Sequence, residues 1–148
     1  MEFNRLLSSA ISAYGEPKLG TVSNFTKTKE NQKAIDKKEY YLVTDPKEID
    51  NWIREAEEVG EVAVDTETSS LDPHQADLIG ISLSSKIGKA CYIPIGHNSK
   101  KCIDKQLVLK KLKPLLEDPS IKKIGQNIKF DFIVLFKHGI NISSLEDT

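Results

Sequence analysis

The 148-residue chain predicts an α/β fold: a mixed sheet flanked by helices. Three observations carry that expectation. Apolar and small or polar residues alternate over 61–66, 78–84 and 90–95, the period of strands lying in a sheet. Two other stretches place apolar residues at helical spacing, one behind the capping aspartate Asp45 and one starting at Asp104. The resulting order is strand, helix, three consecutive strands, helix, strand, helix, which combines hairpins with crossovers as a mixed sheet does.

Residues 1–14 carry Phe3, Leu6, Leu7, Ala10, Ile11 and Tyr14 at helical spacing, so a short amphipathic helix is expected there. Residues 15–38 turn polar and Lys-rich, broken by Gly15, Pro17 and Gly20, and read as a flexible linker. Residues 39–148 form the expected folded part. A strand over 40–43 comes first. Asp45-Pro46-Lys47-Glu48 then supplies an N-cap, a proline at the first helical position and a capping-box glutamate. Ile49, Trp52, Ile53, Ala56 and Val59 make that helix's apolar stripe, and Gly60 stops it. The second and third of the consecutive strands are close enough for a hairpin turning at Gly88. The next helix buries Val108, Leu109, Leu112, Leu115 and Leu116, with Pro114 placed to kink or shorten it. A strand over 121–125 leads to a last helix over 129–138, stopped by Gly139.

The formal charge is −1, but its distribution is uneven. Residues 44–77 hold 11 acids and 2 bases, whereas residues 100–138 hold 10 lysines and 4 acids. An acidic cluster beside a basic stretch suits a metal-dependent enzyme acting on a polyanion, and suits equally well two solvated faces of opposite sign. Cys91 and Cys102 form neither a CxxC nor a Cys/His cluster, which argues against a disulfide framework or zinc site and points to a reducing cytoplasm. No apolar run approaches the length that spans a bilayer, and the N-terminus lacks signal-peptide character. No membrane partner is expected.

The chemistry concentrates in Val62-Ala63-Val64-Asp65-Thr66-Glu67-Thr68-Ser69-Ser70-Leu71-Asp72. Asp65 and Glu67 are two apart, so on a strand their carboxylates share one face. Adjacent carboxylates raise each other's proton affinity unless a cation stands between them. A divalent metal is the usual remedy. By itself Asp-x-Glu identifies nothing, because acids are common. Asp131 adds weight: it sits at a helix start among Phe130, Phe132 and Ile133. Buried there it needs a cation, a capping role or a function, and an acid in the first turn also favours the helix dipole.

Asp65-Thr66-Glu67-Thr68-Ser69-Ser70-Leu71-Asp72 resembles the first exonuclease motif of the proofreading domain of bacterial DNA polymerase I. Gly125-Gln126-Asn127-Ile128-Lys129-Phe130-Asp131 resembles that domain's second motif. Between them, Leu78-Ile79-Gly80-Ile81-Ser82 and Tyr92-Ile93-Pro94-Ile95-Gly96-His97 fall in the family's order, and Asp147-Thr148 looks like the start of its following strand. The resemblance covers about residues 39–148 and implies a ribonuclease H-like fold. It further implies 3′-to-5′ removal of nucleotides from a DNA end, with two divalent metal ions, Mg2+ or Mn2+, as cofactors. Asp65 would bridge both metals, Glu67 would bind the nucleophile-side metal and Asp131 the other. Thr68 and Leu71 match positions at the terminal nucleotide, Leu71 as a wedge against a base or as simple packing. Asn127, Lys129 and Gln126 match phosphate-facing positions, and a single-stranded DNA 3′ end is the implied partner.

The family's third motif, a tyrosine and an aspartate four residues apart, is expected well beyond Asp131, whereas Thr148 follows Asp131 by 17 residues. The expectation is therefore a C-terminally incomplete domain whose second metal site is weakened and whose turnover is impaired. A separately encoded remainder of the polymerase would then be a partner. The competing expectation is a non-catalytic nucleic-acid-binding module, or the remnant of a split polymerase gene. An aspartate-nucleophile phosphatase would want an aspartate where Glu67 stands. An exoribonuclease lies closer, although the run from Thr68 to Asp72 fits the polymerase family better. Lys100-Lys101 and Lys122-Lys123 read either as solvated charge or as DNA contacts, and His74, His97 and His138 share no metal-ligand spacing.

Overall fold

The computed structural model describes residues 38–96 and 102–148. The expected N-terminal helix and nearly all of the linker lie outside these, as do His97, Lys100 and Lys101. Among the described residues, six strands and three helices follow the predicted order, the last strand standing at the end, where the family resemblance expects its following strand to begin. They are β1 (Glu39–Leu42), α1 (Pro46–Val59), β2 (Glu61–Thr68), β3 (Leu78–Lys86) and β4 (Lys89–Pro94). Next come α2 (Lys105–Glu117), β5 (Lys122–Gly125), α3 (Ile128–Lys137) and β6 (Leu145–Asp147).

Local chemistry sets the helix ends. Asp45 caps α1 by accepting from the Lys47 N–H at 2.9 Å. Gly60 ends that helix in the left-handed region at φ 81°, returning its N–H to the Ala56 carbonyl at 2.8 Å. Asp104 caps α2 by accepting from the Leu107 N–H at 2.9 Å. Pro114 neither ends nor shortens α2: the helix continues for its last residues to Glu117. Those few positions cost one backbone bond, and the burial of Leu115 and Leu116 outweighs it.

The strands form one mixed sheet in the order β1-β4-β3-β2-β5-β6. β2–β3 and β3–β4 are antiparallel, while β1–β4, β2–β5 and β5–β6 are parallel. One face buries Val62, Val64, Ile81, Leu83, Cys91 and Ile93 against the helices, with Ile49, Trp52, Leu112, Val134 and Leu135 in the same core. Register pairing places Ala63, Asp65, Glu67, Ser82, Ser84, Ala90 and Tyr92 on the other face, where each is half-buried or exposed. Among the described residues no helix covers that second face. The strand carrying the acids is therefore buried on one side only, not on both.

The reading of Lys122-Lys123 as solvated or DNA-facing charge holds for the exposed Lys122 as solvated charge and is corrected at Lys123. Lys122 pairs with Glu146 at 2.9 Å. Lys123 is fully buried, pairs with Val62 in register, and donates its ammonium to the carbonyls of Asp118 at 2.5 Å and Leu115 at 3.4 Å. These carbonyls lie at the end of α2, where backbone acceptors run out of helical partners and the helix dipole favours a cation. Burial lowers the Lys123 pKa, and Asp118 partly opposes it.

Candidate active site

Along β2 burial alternates strictly from Glu61 to Glu67: Val62, Val64 and Thr66 point into the core, while Asp65 and Glu67 stand on the exposed face. The two carboxylates share a face, as their spacing requires. They lie within the strand, since β2 runs on to Thr68 with a register break between Glu67 and Thr68. Such a bulge bends the strand and re-aims the following side chain. Thr68 Oγ1 then turns into the loop and donates to the Ser70 carbonyl at 2.9 Å.

Asp131 is only 3% exposed, in the first turn of α3. Its Oδ1 accepts from both Thr66 donors, the backbone N–H at 2.8 Å and the hydroxyl at 2.5 Å. Burial raises the Asp131 pKa above the usual carboxylate value. The two Thr66 bonds oppose that shift, and the charge of Asp65 adds to it. The contribution from Asp65 puts the two acids in one electrostatic neighbourhood, although 66 positions separate them in the chain.

An open cleft of about 420 Å3 runs beside Glu67, lined by Thr66, Glu67, Thr68, Ser69, Ser70, Leu71, Asn127 and Phe130. It brings Thr68, Leu71 and Asn127 together with Glu67. Leu71 is 97% exposed at the loop tip, so packing in the core does not account for it. Asn127 caps α3 in a left-handed conformation at φ 54°, with its side chain making no capping bond. Gln126 lines a neighbouring groove with Asp65, Ser82, Ser84 and Thr148. Lys129 is exposed on the first turn of α3 and lines neither hollow.

Two features of this region were not anticipated. Thr66, between the two acids, reads as a neutral spacer. Only its inward phase on β2, opposite to that of Asp65 and Glu67, hints that it meets another element. Tyr92 crosses the exposed face: a Cβ on Gly80 would lie 2.1 Å from the Tyr92 hydroxyl. Gly80 is the cross-strand partner of Glu67, which puts the phenol beside that acid. Burial raises the Tyr92 pKa first, and the Glu67 charge raises it further.

The deciding comparison is with known families. Residues 40–148 match the model of the 3′-5′ exonuclease family. The chain belongs to that family.

Two curated relatives show that this exonuclease domain is of the DNA polymerase I type. DNA polymerase I of Pseudomonas aeruginosa is 42% identical over 100 residues, which cover 66% of this chain and 11% of that protein. DNA polymerase I of Rhizobium leguminosarum is 37% identical over 135 residues, covering 77% of this chain and 13% of that protein. The exonuclease chain thus spans a small part of the length of these relatives. Trypanosoma brucei RNase D superposes at a TM-score of 0.63 with 16% identity, over 76% of this chain and 39% of that one. Together with the mixed six-stranded sheet, this gives the predicted ribonuclease H-like fold.

The donor set of the exonuclease site suits a hard divalent cation. It offers three carboxylates, those of Asp65 and Glu67 exposed and that of Asp131 buried near Asp65 with a raised pKa. Among the described residues, no three His, Cys, Asp or Glu side chains stand close enough to hold an ion as they are placed. Asp131 has one oxygen committed to Thr66, so its second oxygen is the one left for a metal. Also among the described residues, no helix is long and apolar enough to cross a membrane.

Proposed function

We propose that this exonuclease domain removes nucleotides from the 3′ end of single-stranded DNA, using two divalent cations held by Asp65, Glu67 and Asp131. One observation carries the reading: Asp65 and Glu67 stand side by side on an uncovered sheet face, next to a cleft lined by Thr68, Leu71 and Asn127. Divalent cations, when bound, supply Lewis-acid stabilisation at phosphorus and a lowered pKa for the attacking water.

The chain's own residues perform the rest. Asp65 and Glu67 present acceptor oxygens from a rigid strand, and Thr66 fixes the rotamer of Asp131 from the opposite face. Leu71 offers apolar surface to the terminal base, and Thr68 closes the loop behind it. Asn127, Gln126 and Lys129 at the start of α3 offer donors to phosphate oxygens. Water adds to phosphorus as the bond to the 3′ oxygen breaks, releasing a nucleoside monophosphate and a new 3′ hydroxyl. Asp131, with one oxygen already bonded to Thr66, has a single oxygen left and is the weakest of the three ligands. The second site is accordingly the weaker, and turnover is slow.

The test is a 5′-labelled single strand incubated with the chain in Mn2+. The expected outcome is slow stepwise shortening from the 3′ end, lost in Asp65→Ala and in Glu67→Ala. Equal shortening by Asp65→Ala would overturn the assignment. Binding of both Mn2+ and DNA with no shortening at any enzyme concentration would favour a nucleic-acid-binding module instead.

A further inference from the structure

We infer that Lys137, at the far end of α3 from Asp131, is a positioning residue that sets the loop carrying Leu71 against the terminal nucleotide. The inference rests on the proposed function above and assigns it a further residue. The loop leaves β2 at Ser69 and rejoins β3 after Asp77. Its base is closed by two bonds: the Ser69 N–H donates to the Asp77 carbonyl at 3.0 Å, and the Asp77 N–H donates to Ser69 Oγ at 2.9 Å. Inside the loop, the N–H groups of Gln75 and Ala76 turn back to the Asp72 carbonyl, at 3.1 and 2.9 Å.

Those turns direct carbonyls outward that no strand or helix satisfies. Lys137 collects three of them. Its ammonium donates to the carbonyls of His74 at 2.7 Å, Ala76 at 3.1 Å and Pro73 at 3.3 Å. An ammonium has three N–H donors, so this single contact uses its whole capacity. Charge assistance makes each bond stronger than its neutral counterpart. Ala76 is buried beneath, which pins one side of the loop to the core while Leu71 projects from the other.

A single helix thereby orients both halves of the site. Its first turn holds Asp131 against Thr66, and its last turn holds the loop whose tip is Leu71. Lys137 does not line the cleft, so its effect on substrate passes through the loop. Without the clamp, the loop keeps its base but loses the restraint on residues 73–76, and Leu71 samples many positions. Binding would then carry the entropy of ordering it.

The experiment compares the full chain with Lys137→Met, Leu71→Ala and the double variant. It measures affinity for a labelled single-stranded oligonucleotide with a free 3′ hydroxyl in Ca2+, and Mn2+ affinity separately. Lys137→Met is expected to weaken oligonucleotide binding about ten-fold while leaving Mn2+ affinity unchanged, which general destabilisation would not do. Leu71→Ala should weaken binding in the parent background and add little in the Lys137→Met background. Unchanged oligonucleotide affinity in Lys137→Met, loss of both affinities together, or strictly additive effects would each overturn the inference and leave the proposed function standing. Failure of the unaltered chain to bind the oligonucleotide would instead sink the proposed function, and this inference with it.

Discussion

Thr66 and Asp131, 65 positions apart, form a two-pronged contact in which one side-chain oxygen of Asp131 receives both the backbone N–H and the hydroxyl of Thr66. The contact ties the first turn of α3 to the middle of β2. It also gives a buried carboxylate two of the donors it needs, while Asp65 and Glu67 stay exposed on the face opposite the Thr66 side chain. Removing the hydroxyl should expose how much of the fold depends on it. Thr66→Val keeps the shape and the backbone bond but leaves Asp131 short of one donor. A loss of about 1–3 kcal/mol is expected in urea denaturation. Thr66→Ser restores a hydroxyl and should recover most of it.

Asp131→Asn separates stability from metal binding. An asparagine carbonyl still accepts both Thr66 donors, and it removes a carboxyl group whose pKa burial has already raised. The sign follows from linkage. An acid with a raised folded pKa binds more protons folded than unfolded, so its contribution falls as pH rises from the ordinary carboxylate value through the raised one. Above that window the native carboxylate is a net cost. Asp131→Asn should therefore be no less stable than the parent at pH 7 by thermal melting, while Mn2+ affinity measured by calorimetry drops at least ~10-fold. A large drop in melting temperature would show that the charge itself supports the fold.

Much of this architecture is legible in the sequence because it depends on local chemistry. Asp45 with Gly60, and Asp104 ahead of its leucine stripe, bound two helices by capping alone. Alternation around Val62 and Val64 orients β2 and so places Asp65 and Glu67 on a common face. The unread parts are all long-range. Thr66 resembles any strand threonine until α3 is folded onto it. Lys123 resembles a surface lysine until the end of α2 offers it carbonyls. Among the described residues Lys137 makes no ion pair, because its partners are backbone atoms of a loop more than 60 residues away.

Away from the site, Glu55 on α1 predicts an acid-labile edge of the sheet. Its carboxylate pairs with Lys86 and Lys89, each at 2.6 Å, and Lys89 also lies over the Trp52 ring. Bonds to Lys86 and then Lys89 lower the Glu55 pKa. A carboxylate with a lowered folded pKa contributes stability that is complete above its unfolded pKa and is lost as pH falls through the folded value. Glu55→Gln should cost about 1 kcal/mol at pH 7 and nothing once the pH is below the folded value. Denaturation curves of the two proteins should converge on acidification, and a pH-independent gap would contradict the ion-pair account.

Gly80 is where the exposed face tolerates no side chain. A Cβ there would approach the Tyr92 hydroxyl to 2.1 Å and the ring carbons to 2.3 and 2.4 Å, so the whole phenol would have to swing away. All three atoms belong to the far half of the Tyr92 ring, which is half-buried on the exposed face of a central strand pair. Gly80→Ala should cost about 1–3 kcal/mol, the range for overpacking. Its partner test is Gly80→Ala with Tyr92→Ala, which removes the obstructing ring. In the double variant the alanine at position 80 should cost far less than it does alone, a coupling that denaturant titration of all four proteins would measure. If the two effects simply add, Tyr92 does not occupy the space above Gly80 in solution. Its place beside Glu67 would then be lost as well.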